Sequence, residues 1–174
     1  GQLGLGEECT DKVFKPQLAS VPDDLGVEAV ALGDTHSVIL TSDKKLMCTG
    51  SNDKYQLGID HEQRSLRLFN FQRIESFKKY EADEEIRFKS ISCWNLNAAI
   101  DEEDRVYFWG LLYDKQVKRS LCIKVPEAIN DFKVKHVAIG ATMALLIEDQ
   151  TQQSFVIGVN ANGELGLGDK KQRK

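Results

Sequence analysis

"VALGDTHSVILTSDKKLMCTGSNDKYQLG", residues 30–58, carries the organisation of the whole chain. A glycine turn leads into the apolar run HSVILT, a polar SDKK turn follows, and then come LMCTG, a second glycine and the tetrapeptide YQLG. Both runs are rich in β-formers and too short for a helix, so the pair reads as a β-hairpin. VEAVAL, residues 27–32, supplies a further strand candidate immediately upstream.

The same grammar recurs along the chain, which makes the repeat the first thing to establish. The tetrapeptide appears as Gly1-Gln2-Leu3-Gly4, Tyr55-Gln56-Leu57-Gly58, a worn Lys115-Gln116-Val117-Lys118, and Gly163-Glu164-Leu165-Gly166, with steps of 54, 60 and 48 residues. Gly50, Gly110 and Gly158 each lie five residues before a copy of it. A turn residue, Gly33, Cys93 or Gly140, precedes those glycines by 17, 17 and 18 residues. Hairpins fall between these two markers each time: NAAI and VYFWG around DEEDR, and MALLI and SFVIG around EDQTQQ. RFKSIS and VKHVAI stand where VEAVAL stands in the first unit, and the looser pieces KPQLASV, LFNFQRI and KVPEAI come before them.

This predicts four short strands per unit of roughly 50 residues, the period of a propeller blade. The units are 1–58, 59–118 and 119–174, and the second is lengthened by the charged stretch ESFKKYEADEE, residues 75–85, expected to be a solvated loop. The fold class is therefore all-β: a β-propeller of four-stranded antiparallel blades.

Composition narrows the function classes. The chain has 174 residues, 41% of them hydrophobic and 29% charged, enough for a substantial core. A net charge of −4 offers no positive field for a phosphate backbone, so direct nucleic-acid binding is not expected. Cys9, Cys48, Cys93 and Cys122 are widely spaced with no C-x-x-C pair, which predicts free thiols in a reducing, intracellular compartment rather than zinc or a disulfide framework. No apolar run is long enough to span a membrane, and no signal-peptide pattern opens the chain. The start in mid-repeat without Met predicts an excerpt of a longer polypeptide.

Residues 30–58 closely resemble the repeat of the regulator of chromosome condensation family, V-A-x-G-x-x-H-(S/T)-x-x-L-T-x-D-G-x-(L/V)-(Y/F)-x-x-G-x-N-x-x-G-Q-L-G. VYFWG at 106–110 and GVNANGELGLGD at 158–169 match it as well, whereas the second unit departs from it with Cys93, Trp94 and Leu96. The resemblance implies a seven-bladed propeller, of which these are about three blades. Closure then requires the remaining blades, expected from the same longer chain, because an open arc leaves terminal faces uncovered.

No catalytic, metal or cofactor constellation is evident. The glycine tetrapeptides are not phosphate loops, since no helix follows Gly6, Gly58 or Gly166. Gly4, Gly58 and Gly166 read as turn residues, with Leu3, Leu57 and Leu165 plugging the space between blades and Asn162-Gly163 a turn pair of the same kind. His36 is a consensus position of the resembling family, expected to hydrogen-bond within its own blade; His61 and His136 fall in other registers. Asp34, in LGDTHS, matches a position that belongs to the GTPase-facing surface in the family's exchange factor for Ran, a weak signal beside the reading of a generic loop residue. The equivalent turns hold Trp94-Asn95 and Ala141-Thr142, predicted to share one face. Trp94 there is either a partner anchor or a cover for the 75–85 insertion, and Tyr113 and Asp114 are further candidates. The terminal KKQRK reads as a solvated loop. Two functions follow: a non-enzymatic protein-interaction module within a larger scaffold, ligase, kinase or ciliary protein, or a guanine nucleotide exchange factor for a Ran-like GTPase.

Overall fold

A computed structural model describes residues 1–9, 12–22, 24–59, 66–75, 77, 86–114, 119–129 and 133–171. The described residues form eleven strands and no helix. The first sheet contains β1 (Val27–Leu32), β2 (His36–Thr41), β3 (Leu46–Ser51) and β4 (Arg67–Arg73) in that order. The second contains β5 (Phe88–Cys93), β6 (Leu96–Asp101), β7 (Val106–Asp114) and β8 (Arg119–Ile129). The third contains β9 (Val134–Ile139), β10 (Met143–Glu148) and β11 (Ser154–Gly158).

All pairings are antiparallel between chain neighbours, as short turns require. The central strands β2, β3 and β6 are buried at every position, because the second sheet lies between the first and third and the first is flanked by the second sheet and by residues 1–4. Strand β5 of the second sheet contacts β1 of the first and β9 of the third, and the three form the inner edge of the arc.

Two details differ from the sequence reading. LFNFQRI does not open the second sheet: β4 pairs with β3 and closes the first, just as β8, which contains KVPEAI, closes the second. The first and second sheets are thus each completed from sequence downstream of their own tetrapeptide. Sheets are therefore out of phase with units counted from the tetrapeptide. KPQLASV, the corresponding piece at residues 15–21, pairs with no described strand.

The second concerns the 75–85 insertion, most of which lies outside the described residues. Phe77 within it is 8% exposed. Its ring stands edge-on to Phe88, Tyr107 and Trp109 at 4.7, 5.7 and 5.3 Å between centroids. A phenylalanine inside a charged stretch finds an aromatic recess, so the insertion is anchored at that point rather than wholly solvated.

Apolar layers between sheets hold the arc together. Val38, Cys48 and Leu57 meet Phe88, Tyr107 and Trp109 between the first and second sheets. Between the second and third, Leu96, Ile100 and Phe108 meet Val134, Ala144 and Leu146.

Candidate functional site

The turns at Gly33, Cys93 and Gly140 all precede the second strand of a sheet and lie at the same end of it. One lock is common to all three, although the second turn is a residue tighter, with Trp94 N–H donating to the Leu96 carbonyl where Gly33 and Gly140 donate to His36 and Met143. The carbonyls of Thr35, Asn95 and Thr142 each accept from the residue that follows the marker glycine, Ser51, Leu111 and Val159, at 2.9 Å in every case. This explains the marker glycines themselves. Gly50, Gly110 and Gly158 have φ of 110°, 99° and 131°, and a Cβ on them would lie 2.4, 2.4 and 2.3 Å from those turn carbonyls. Gly33 is needed for space instead: a Cβ there would meet the His36 ring at 2.0 Å and the Trp94 carbonyl at 2.5 Å. Gly140 is under no such constraint, its nearest neighbour being 3.6 Å away.

Each tetrapeptide is a tight turn. Gly4, Gly58 and Gly166 have φ of 64°, 64° and 65°, and each donates to the carbonyl three residues earlier. Asn52 and Asn160, both fully buried, accept from the backbone N–H of Leu57 and Leu165 and hold the loop closed. Leu57 is fully buried in the inter-sheet layer and Leu165 is 4% exposed, whereas Leu3 is 49% exposed. At Leu3, among the described residues, a sheet packs on only one side of residues 1–4. The copy at 115–118 lies outside the described residues.

His36 also departs from expectation. Its ring is buried, and Nε2 meets Asn97 Oδ1 at 2.5 Å, across the interface in the second sheet rather than within its own blade. Asn97 Nδ2 donates to the Gln56 and Trp109 carbonyls, so Oδ1 faces the imidazole and Nε2 carries the proton. Nδ1 is then the bare nitrogen, buried without a donor. Burial lowers the imidazole to about 4, the Asn97 bond opposing this, nearby Lys54 adding to it and Asp34 opposing it. Trp109 Nε1 donates to the same Gln56 carbonyl at 3.0 Å, and Gln56 Nε2 reaches back to Thr35 Oγ1. The first interface shows the same theme in miniature: Ser37 Oγ donates to the Gln2 carbonyl and Thr49 Oγ1 to that of Gly1. Residues after the histidine position and before the marker glycine thus clasp the preceding tetrapeptide. Asn97 and Trp109 were not singled out from sequence, because Asn-for-Ser and Trp-for-Thr look like ordinary variation until their partners are known.

The clasp ends in an exposed face. Asp34, Trp94 and Ala141, each two residues before the second strand of its sheet, are exposed, Trp94 at 40%. Phe77 of the insertion packs on Trp109, and residues 76 and 78–85 lie outside the described residues. Lys54 Nζ donates to Asn95 Oδ1 at 3.2 Å, tying the first loop to the second turn. Tyr113 and Asp114 end β7, and their side chains lie outside the described residues, as does His61; His136 is exposed on β9. Among the described residues no cluster of His, Cys, Asp and Glu could hold a metal. Cys9, Cys48 and Cys93 are free, and burial pushes the Cys48 thiol up to about 12. No described helix is long and apolar enough to cross a membrane.

Two segments match the Regulator of chromosome condensation (RCC1) repeat family, residues 1–40 and residues 27–56. The chain is 31% identical over 125 residues to protein pim1 of Schizosaccharomyces pombe, covering 63% of this chain and 22% of that protein. It is 28% identical over 176 residues to the human regulator of chromosome condensation, covering 95% of this chain and 38% of the other. Among solved structures it resembles human WBSCR16, with a TM-score of 0.66 at 20% identity over 91% of this chain and 41% of the other. It also resembles yeast RCC1 (Prp20) in complex with Kap60, with a TM-score of 0.67 at 19% identity over 85% and 35%. The chain thus spans well under half the length of these relatives.

Proposed function

We propose that this chain, whose residues 1–56 match the regulator of chromosome condensation repeat family, is a non-enzymatic protein-interaction module, three repeats of a larger propeller. The observation that carries this reading is the contrast at the turn face. The bond from the residue after each marker glycine to the turn carbonyl repeats in all three sheets, while the exposed residues, Asp34, Trp94 and Ala141, differ in every repeat. A surface that varies on a fixed frame suits recognition of a protein partner, and an exposed tryptophan suits an anchor. The remaining blades come from the same longer chain, which works inside the cell.

Guanine nucleotide exchange on a Ran-like GTPase is the second reading, favoured by the exposed Asp34 in LGDTHS and by relatives such as guanine nucleotide exchange factor SRM1 of Saccharomyces cerevisiae, 25% identical over 118 residues. Nucleotide release from a panel of small GTPases, measured with the full-length protein, separates the two. The interaction module leaves the intrinsic rates unchanged. Acceleration that disappears with Asp34→Ala replaces it with the exchange reading.

A further inference from the structure

Resting on the interaction reading, we infer that Asp34 and Trp94 together form a seat for one cationic side chain, an arginine, presented by the protein partner. The two residues come from different sheets, yet their turns touch: the Trp94 carbonyl lies so close to Gly33 that a Cβ there would be 2.5 Å from it. Both side chains are exposed. Among the described residues no donor reaches the Asp34 carboxylate. The nearby cation, Lys54, is directed to Asn95 Oδ1 instead, which leaves the carboxylate open. Ala141, at the equivalent third turn, adds neither charge nor bulk.

An indole and an open carboxylate carried on touching turns together complement a cation. Arginine fits better than lysine, because a planar guanidinium stacks on the indole while its edge forks onto the carboxylate. The partner segment is therefore one with an arginine at its centre, and neither an apolar plug nor an acidic peptide.

Selection of a displayed random-peptide library on the full-length protein tests this, with each selected peptide re-measured against Trp94→Ala, Trp94→Phe and Asp34→Asn. Circular dichroism and thermal melting verify that each variant is folded. The seat predicts peptides that share an arginine, weaken roughly three- to tenfold with Asp34→Asn and with arginine replaced by norleucine, and tolerate Trp94→Phe better than Trp94→Ala. Trp94-dependent peptides without a shared arginine, or indifferent to Asp34→Asn, overturn the seat while leaving the interaction face in place. Peptides that never depend on Trp94 overturn both.

Discussion

At the scale of single residues, the repeat markers divide into those that the backbone requires and those that it tolerates. Gly50 and Gly33 belong to the first class, one for its φ of 110° and close carbonyl, the other for the His36 ring and Trp94 carbonyl packed on it. Alanine at Gly50 is expected to lower stability by at least about 2 kcal/mol, whereas alanine at Gly140 shifts it by about 0.5 kcal/mol or less, both measured by urea unfolding. His36 makes a second, pH-dependent prediction. Its native value near 4 lies below the ordinary 6.5, so between those limits the unfolded chain binds a proton that the native chain refuses. The contribution of His36 is flat above pH 6.5 and erodes as pH falls, reaching about 3 kcal/mol of lost stability near pH 4. His36→Leu, which installs the residue found at position 96, removes that acid sensitivity. It lowers neutral-pH stability by about 1–3 kcal/mol by stranding Asn97 Oδ1. Urea midpoints at neutral and acid pH check both statements.

At the scale of strands and loops, stability resides in the clasp between one sheet and the tetrapeptide of the sheet before it. Leu57 fills the first inter-sheet layer, and truncating it to alanine is expected to cost about 2–5 kcal/mol. The same change at Leu3, 49% exposed, costs under about 1 kcal/mol in the 174-residue chain. Most of this level was legible in the sequence: β1, β2, β9 and β11 coincide with VEAVAL, HSVILT, VKHVAI and SFVIG, since apolar runs and turn residues are local signals. What escaped was non-local. Whether LFNFQRI pairs backward with β3 or forward with β5 depends on the path of the intervening loop, which no residue type encodes. The His36–Asn97 bond joins residues 61 positions apart, and no local pattern announces it. Lys44, Asp104 and Gln152 hold φ of 66°, 65° and 56° in the hairpin turns, where the consensus glycine would have made the geometry obvious.

At the scale of the molecule, the two ends of each sheet differ. The end bearing residues 33–35 and 93–95 carries the variable exposed side chains, and the opposite end carries the hairpin turns, such as 102–105, whose charges are tied up locally. There Arg105 pairs with Asp101 and Glu103, and Arg87 pairs with Glu102. Under the proposed interaction role, partner recognition belongs to one end only, held in place by the buried clasps beneath it. Site-specific photo-crosslinking in cells tests this most directly, with a photoreactive phenylalanine analogue placed in the full-length protein at Trp94 or, on the opposite end, at Glu103. Crosslinks to a discrete partner from position 94 and none from position 103 are the predicted result; a partner captured from position 103, with position 94 silent, contradicts the account.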